Sequence, residues 1–242
     1  MRAAVLADVH GNREALEAVL ADAARQGVDV HYCLGDVIGY GADPEACLDL
    51  VARTCTIVVR GNHEEAWLHP QQRVFMNAAA LASMRWTEAR VDETARRLAG
   101  SWPLVYAGGD ARLVHASPAR PRDFPYLHAP EAVAAAFDAF PESLCLVGHT
   151  HVPGVARAGS SGTFGVQPDP VCDLTPGSRY LINVGSVGQP RDGDSRACWA
   201  FVTDAPPRVE IRRVAYDLTR TQTKIIRAGL PEILAVRLGR GY

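Results

Sequence analysis

Short apolar runs that stop at small or polar residues recur along the chain, and each predicts a buried strand. The first three runs cover residues 3–7, 28–34 and 56–60. Between the first two, residues 13–26 place apolar side chains at helical spacing, and Gly27 stands where a C-terminal cap belongs. A strand, helix and strand in this order predict parallel pairing through a right-handed crossover, so the strand ends are expected to meet at one edge of a sheet.

Later parts of the chain predict further strands and helices. Two strands should form a hairpin around a Gly-Gly-Asp turn, and four more follow; these runs are residues 103–107, 111–114, 144–147, 179–184, 197–203 and 208–214. Helical patterns cover residues 70–100, 130–140 and 218–238, the last interrupted at Pro231. Residues 70–100 fit either two helices that cover the sheet or a specialised cap domain.

No internal repeat, linker or shift in composition divides the chain. Residues 1–242 are therefore predicted to form a single domain, with residues 217–242 as a helical tail. Residues 159–176 are polar and broken by Gly and Pro, and they predict a loop insertion with little helix or strand signal. This insertion either borders a substrate pocket or forms a surface hairpin.

Composition limits the classes of function. Hydrophobic residues make up 48% and charged residues 21% of the chain, as in an ordinary globular protein. The formal net charge of −2 argues against general nucleic-acid binding or binding to a membrane surface. Lys224 is the only lysine, and no Gly-Lys-Ser/Thr sequence occurs, which excludes P-loop nucleotide chemistry.

Cysteine usage and the absence of long apolar segments predict the compartment. The six cysteines form no C-x-x-C pair and lie among apolar neighbours, as buried thiols do in a reducing compartment. The chain begins without a signal-peptide pattern, and no apolar run of 18 residues follows. We therefore expect a cytoplasmic protein without a membrane partner, and the sequence leaves its oligomeric state open.

Polar side chains gather where the predicted strands stop. They are Asp8, His10, Asp36, Asn62, His63, His115, His149 and His151. Five of the eight histidines belong to this set, which scattered core histidines would not produce. Side chains two residues apart in an extended strand point the same way, so Asp8 and His10 are expected to bind one ion together.

The order of these motifs resembles the calcineurin-like metallophosphoesterase family, and most of all its compact bacterial and archaeal phosphodiesterase branch. The motifs are Asp-x-His-Gly, Gly-Asp, Gly-Asn-His-Glu, a single His, and Gly-His-Thr-His, and the resemblance spans residues 1–191. It implies an α/β fold of four layers, an αββα sandwich with two mixed sheets and a binuclear metal site at the carboxyl ends of strands. Ala116 follows His115 where many relatives have Gly, and because Ala is also small we expect little effect on the ligand.

The resemblance also implies a ligand set for two divalent ions. One ion would be held by Asp8, His10, Asp36 and His151, and the other by Asp36, Asn62, His115 and His149. Asp36 would bridge both ions, because two cations close together need a shared anion. Carboxylate, imidazole and amide ligands without a thiolate suit Mn²⁺, with Fe or Zn²⁺ as alternatives.

Roles near the metal ligands follow from position. His63 follows the ligand Asn62 and would be free to protonate the leaving oxygen, which makes it the candidate catalytic residue. Asn12 either contacts phosphate or caps the first helix, and Arg191 either binds phosphate or is an ordinary arginine of a surface turn. Three loop aromatics either stack on a base or pack internally; these are Tyr40, Phe124 and Tyr126.

The leading interpretation is a metal-dependent phosphoesterase. It would hydrolyse a phosphodiester or phosphomonoester, of a small nucleotide-like substrate, by attack of a hydroxide between the two metal ions. One alternative is a protein phosphatase or a dinucleoside-polyphosphate phosphatase, since the same centre serves those relatives. Another is a non-catalytic scaffold used for binding, although such scaffolds lose ligands and here every expected position is filled.

Overall fold

The structure, a computed structural model, describes residues 1–158 and 170–242. Its strands in these ranges are β1 (Arg2–Leu6), β2 (Val30–Cys33), β3 (Ile57–Val58), β4 (Val105–Gly108), β5 (Ala111–Val114), β6 (Leu144–Val147), β7 (Gly154–Arg157), β8 (Val171–Asp173), β9 (Tyr180–Asn183), β10 (Ala197–Asp204) and β11 (Pro207–Val214). The helices are α1 (Arg13–Arg25), α2 (Pro44–Thr54), α3 (Asn62–Leu68), α4 (Ala78–Glu88), α5 (Glu93–Ser101), α6 (Pro130–Phe137), α7 (Leu218–Arg227) and α8 (Glu232–Arg240), with a 3-10 helix at Pro70–Phe75.

The described strands form two mixed sheets. In the first, the order is β3-β2-β1-β10-β11-β8, with β1 to β3 parallel and the other neighbours antiparallel. In the second, the order is β4-β5-β6-β9-β7, with β5, β6 and β9 parallel between antiparallel edge strands. The parallel strands of both sheets end at the same edge, which is where the predicted ligands lie.

Alternating side chains along β1 show how the layers pack. Ala4 and Leu6 belong to the core shared with α1, whereas Ala3 and Val5 belong to the core between the two sheets. On the outer face of the second sheet, Phe137 of α6 packs in a third core with residues of β5 and β6. Helix, sheet, sheet and helix layers therefore follow one another, and the predicted αββα sandwich is confirmed.

Several predicted elements differ from those observed. The third strand is shorter than residues 56–60, the helix predicted over 130–140 ends at Phe137, and β7 had no prediction. Within the loop insertion predicted over residues 159–176, the structure contains β8, which pairs with β11 and places Cys172 opposite Val209. Three residues are too few to show a periodic pattern, so pairing rather than local sequence defines this strand. Residues 159–169 of that insertion lie outside the described residues.

The segment over residues 70–100 agrees with the alternative of two helices, because it contains the 3-10 helix followed by α4 and α5. The tail forms α7 and α8, separated near Pro231 as expected, and Ile225, Leu234 and Leu238 pack against Tyr40. In the described ranges, no helix has both the length and the apolar content needed to span a bilayer.

Candidate metal centre

The carboxyl ends of β1 and β6 bring one group of predicted ligands together. Asp8 Oδ1 lies 3.4 Å from His151 Nε2, and His10 Nε2 lies 3.1 Å from the same nitrogen. All three side chains are buried, and their ligand atoms lie within 4.8 Å of one another. Side chains more than 100 residues apart in sequence thus form one compact group of donor atoms.

A second group lies beside the first. Asp36 Oδ2 is 3.4 Å from His115 Nε2, which is 3.2 Å from His149 Nδ1 and 3.1 Å from Asn62 Oδ1. The same oxygen of Asp36 lies 3.7 Å from His10 Nε2, so this carboxylate stands between the two groups. We call both groups together the strand-end cage, which consists of Asp8, His10, Asp36, Asn62, His115, His149 and His151.

Backbone carbonyls orient three imidazoles of the strand-end cage. The Nδ1 atoms of His10, His115 and His151 lie 3.0, 2.7 and 2.6 Å from the carbonyl oxygens of Ile38, Leu34 and Gln189. A neutral imidazole that donates its Nδ1–H leaves Nε2 as an acceptor. The acceptor Nε2 atoms of His10 and His151 lie 3.1 Å apart and cannot hydrogen-bond to each other. Their short separation is what a cation bound by both nitrogens would require.

The charges of the strand-end cage also fit cations. Burial raises the pKa of Asp8 to about 7, and its Oδ1 is buried with no hydrogen-bond donor among the described residues. Burial lowers the pKa of His115, but the carboxylates of Asp36 and Asp8 outweigh burial and raise it to about 9. Burial lowers the pKa of His10 and His151 well below the usual value. Buried carboxylates and the neutral imidazoles of His10 and His151 suit divalent ions bound through oxygen and nitrogen. Such an ion would replace the proton that the carboxylates of Asp36 and Asp8 stabilise on His115.

The backbone at five residues of the strand-end cage lies in the left-handed region. The φ angles are 54° at Asp8, 51° at His10, 53° at Asp36, 67° at His149 and 62° at His151. The expectation that Asp8 and His10 act from an extended segment is therefore wrong, because turns after β1 direct both side chains inward. Such conformations cost about 1–3 kcal/mol each and persist only where the surrounding structure enforces them.

Glu64 holds two of these turns in place, although the sequence argument had assigned it no role. Its buried carboxylate accepts hydrogen bonds from four backbone N–H groups, those of Asp36, Val37, Ile38 and Gly61. The turn after β2 is thereby tied to the start of α3. Glu64 lies three residues after Gly61, which is the spacing of a capping box and a signal that the sequence did contain.

His63 lies between the strand-end cage and a neighbouring pocket. Its backbone N–H donates to Asp36 Oδ1 at 2.8 Å, and its Nε2 lies 4.0 Å from Asp36 Oδ2. Its ring centroid is 4.7 Å from the rings of both His10 and Tyr40. A Cβ at Gly39, where φ is 87°, would overlap His63 Nδ1, so only glycine leaves room for the imidazole. Burial lowers the pKa of His63, and the Asp36 carboxylate opposes this shift.

The neighbouring pocket has aromatic walls and a volume of about 130 Å³. We call it the aromatic pocket; its lining includes Tyr40, His63, Phe75, Phe124 and Tyr126. The Tyr126 ring stacks on His149 with centroids 4.1 Å apart, and Phe75 of the 3-10 helix is 85% exposed. Nothing in the sequence had indicated Phe75, whereas the other three aromatic residues had been singled out.

The side chain of Asn12 forms hydrogen bonds to other parts of the protein. Its Oδ1 accepts from Ala15 N at 3.1 Å and from Thr221 Oγ1 at 3.1 Å, and its Nδ2 donates to the carbonyl of Gly188 at 2.9 Å. The side chain is buried. Of the two interpretations left open, the structure therefore favours the helix cap over a phosphate contact, and it shows that α7 supports this cap.

Arg191 lies against the strand-end cage. Its backbone N–H donates to the carbonyl of His151 at 3.2 Å, and its Nη2 donates to Gln189 Oε1 at 2.9 Å. Its Cζ is 5.9 Å from the centroid of the Tyr40 ring, and the side chain is half-buried. This environment differs from that of an ordinary arginine in a surface turn.

Known proteins resemble this chain in sequence or in fold. The uncharacterized protein MJ0912 of Methanocaldococcus jannaschii is 34% identical over 242 residues, covering 98% of this chain and 97% of the relative. The crystal structure of a metallophosphoesterase from Sphaerobacter thermophilus is 38% identical, with a TM-score of 0.90 over 100% of this chain and 99% of that chain. The hypothetical protein PH1004 from Pyrococcus horikoshii OT3 shares the fold, with 21% identity and a TM-score of 0.80 over 100% of this chain and 98% of that chain.

A family model agrees with these similarities. Residues 1–205 match the model of the calcineurin-like phosphoesterase superfamily domain, and the match covers every residue of the strand-end cage. The helices α7 and α8 lie beyond the matched residues. The resemblance inferred from the sequence motifs is confirmed: this chain belongs to the calcineurin-like phosphoesterase superfamily.

Proposed function

We propose that the chain is a binuclear metal-dependent phosphoesterase that hydrolyses a small phosphodiester or phosphomonoester, with a nucleotide-like aromatic group on the substrate. Membership of the superfamily supports hydrolysis of a phosphate ester. The position of Asp36 Oδ2 carries the metal-dependent part of the proposal. This oxygen lies 3.7 Å from His10 Nε2 in the first group of donor atoms and 3.4 Å from His115 Nε2 in the second group.

The strand-end cage supplies the ligands in this proposal. Asp8, His10, Asp36 and His151 hold one ion, and Asp36, Asn62, His115 and His149 hold the other. Divalent ions bound there supply Lewis acidity, which activates water and stabilises charge on the phosphate oxygens. We expect Mn²⁺, with Fe or Zn²⁺ as alternatives, because the donor atoms are oxygen and nitrogen.

His63 is the catalytic residue in this proposal. Its Nε2 faces the strand-end cage, and Asp36 fixes its backbone through the hydrogen bond to Oδ1. A proton held at Nε2 would pass to the leaving oxygen of the ester, which is the work of a general acid. Gly39 and Tyr40 confine the ring, so the imidazole is held in place before substrate arrives.

The aromatic pocket suits the part of the substrate that leaves. His63 is one of its walls, so a leaving group protonated by His63 would extend between the exposed rings of Phe75 and Tyr126. Flat aromatic groups bind such rings by stacking, with about 1–3 kcal/mol per base in single-stranded nucleic-acid complexes. A nucleoside fits this description better than a small aliphatic alcohol does.

The rival interpretations receive less support. A scaffold used only for binding has no need of a full ligand set, and here all seven side chains of the strand-end cage meet. A phosphoprotein substrate would need an open groove, whereas the aromatic pocket is small. We also propose a cytoplasmic location, because Cys33, Cys47, Cys145 and Cys198 are buried thiols.

A hydrolysis screen tests the proposal. Protein stripped with a chelator would be reloaded with Mn²⁺, Fe²⁺ or Zn²⁺ and assayed on cyclic nucleotides, nucleoside monophosphates, p-nitrophenyl phosphate, glycerol phosphate and a phosphopeptide. We expect hydrolysis only after metal is restored, two ions bound per chain, and kcat/KM about tenfold higher for a nucleotide than for glycerol phosphate. Absence of hydrolysis with every metal would refute the enzymatic function.

A further inference from the structure

Helices α7 and α8 form the tail of the chain, and both lie beyond residue 205, where the match to the family model ends. Ile225 of α7 and Leu234 of α8 nevertheless pack in one buried cluster with Tyr40. Tyr40 belongs to the segment between β2 and α2, and we call residues 39–43 of this segment the Tyr40 loop. The tail is therefore in contact with a loop of the candidate site.

The Tyr40 loop holds His10 through the backbone and through a ring contact. The Gly41 N–H donates to the His10 carbonyl at 2.9 Å, and the Asp43 N–H donates to the Gly11 carbonyl at 3.0 Å. A Cβ at Gly41 would lie 2.3 Å from the His10 carbonyl oxygen, so only glycine permits this close approach. The Tyr40 ring lies against the His10 imidazole, with centroids 4.5 Å apart. A displacement of the loop would therefore move His10 with it.

The backbone of Tyr40 needs support from its surroundings. Its φ angle is 60°, a conformation that costs free energy for a bulky side chain and persists only where neighbouring segments enforce it. The Tyr40 N–H donates to Ser83 Oγ at 3.1 Å, and the tail residues Ile225, Leu234 and Leu238 belong to the cluster in which Tyr40 is buried. Packing of the tail thus helps to keep the loop in its strained conformation.

Lys224, the only lysine of the chain, holds the other end of the Tyr40 loop. Its Nζ lies 2.7 Å from Asp43 Oδ2 and 2.6 Å from Glu14 Oε1. Asp43 is the last residue of the loop, and Glu14 lies in the first turn of α1, just after the turn that carries His10. Both carboxylates are mostly buried, and within residues 1–158 and 170–242 Lys224 is the only cation paired with Asp43. One side chain of the tail therefore fixes the loop against the segment of His10.

The second group of donor atoms has other supports. Glu64 accepts a hydrogen bond from the Asp36 N–H, and the Leu34 carbonyl orients His115. Neither of these two contacts involves the tail or the Tyr40 loop. The tail therefore bears on the first group, which contains His10.

We propose that the tail positions the metal ligand His10 through the Tyr40 loop and thereby sets the affinity for the ion that His10 binds. Lys224 and Tyr40 are positioning residues for this ligand. The metal centre then depends on a part of the chain beyond the residues that the family model matches. This inference rests on the proposed function, because it takes the strand-end cage to bind two ions, but it concerns metal affinity, which is measured without any ester.

The test measures Mn²⁺ binding by calorimetry on the full chain after removal of metal with a chelator. Wild-type protein should bind two ions, and His10→Gln identifies the binding step that depends on His10. We expect Lys224→Gln to weaken that same step by about tenfold, the lower end of the loss caused by removing a partner of a metal-ligating histidine. Loss of a positive charge near the cage would by itself raise the affinity for cations, so a fall in affinity indicates positioning.

Two further substitutions at charged residues control for charge. Arg220 is an exposed residue of the same helix whose Nε lies 3.0 Å from Glu14 Oε1, and it forms no ion pair with Asp43. Arg220→Gln removes the same charge as Lys224→Gln and should keep both wild-type affinities. Lys224→Arg keeps the charge and the ability to bond both carboxylates, so it should restore most of the lost affinity.

Leu234→Ala tests the apolar contact independently and serves if Lys224→Gln does not fold. Leu234 is fully buried in the cluster with Tyr40, so its truncation should loosen the Tyr40 loop and weaken the same binding step. Ile233→Ala is the matched control, because Ile233 is the preceding residue of α8 and is exposed. This control should bind both ions as the wild type does.

Unchanged affinities in either folded variant, Lys224→Gln or Leu234→Ala, would overturn the positioning role of the tail. An equal fall at both binding steps would also overturn it, since that result indicates general loosening of the fold. The expected fall at one step in a protein that hydrolyses no ester would instead refute the enzymatic function and leave the role of the tail standing. Metal binding and turnover therefore separate the two proposals.

Discussion

The strand-end cage and the aromatic pocket share a wall at His63, yet they are built from different kinds of segment. Residues of the strand-end cage follow strands of two sheets, and backbone groups hydrogen-bond to the buried side chains of Asp8, His10 and His115. The pocket wall comes from the 3-10 helix and from the loop before α6, and Phe75 and Tyr126 are largely exposed there. In the proposed function, rigid positions hold the metals and the reacting phosphate, and accessible positions select the substrate.

Backbone conformation shows the same contrast. Five residues of the strand-end cage have φ between 51° and 67°, a conformation that costs free energy for side chains other than glycine. In the aromatic pocket, Tyr40 and Phe124 share this feature, whereas the 3-10 helix that carries Phe75 is regular. Strain is therefore concentrated where donor atoms must converge, and little of it is needed where a ring only has to face the solvent.

Asp36→Asn should break the strand-end cage and give the largest effect. The substitution removes the one negative charge between the two ligand groups, so affinity for the pair of ions should fall by at least about 10²-fold, more than the loss of an outer partner causes. Metal content would be measured by mass spectrometry after dialysis, with His31→Gln as the control because His31 lies outside the cage. Two ions retained per chain in Asp36→Asn would contradict a bridging carboxylate.

His63→Gln tests the wall that both regions share. This variant should keep both ions, because His63 is outside the proposed ligand set, while turnover falls by about 10²-fold, the usual weight of a positioned general acid. The loss should be smaller for p-nitrophenyl phosphate, whose leaving group hardly needs a proton, than for an alkyl ester. Equal losses on both esters, or loss of metal, would show that His63 is a ligand or a structural residue instead.

Phe75→Ala tests the aromatic pocket alone and should give the smallest of the three effects. Removal of an exposed ring should raise KM for a nucleotide by about fivefold, which is the low end of stacking energies, and leave metal content unchanged. Val74→Ala is the matched control, since Val74 is 77% exposed on the same 3-10 helix but does not line the pocket. If both variants behaved alike on a nucleotide and on glycerol phosphate, Phe75 would have no part in substrate choice.

The chain's own sequence determined most of the strands and helices and indicated all seven residues of the strand-end cage. Both depend on local signals, since an apolar run that stops at Asp36 or His115 can be read from a few residues. The crossover rule then places parallel strand ends together without further information. Even the support from Glu64 has a local signal, because its spacing from Gly61 is that of a capping box.

Tertiary structure alone decided the rest. Strands as short as β8 exist because a neighbouring strand offers hydrogen bonds, and the left-handed turns at Asp8 and His10 exist because surrounding segments enforce them. Phe75 reaches the aromatic pocket from a segment with no motif of its own. Its position there depends on packing between parts of the chain far apart in sequence, and no local pattern of residues encodes such contacts.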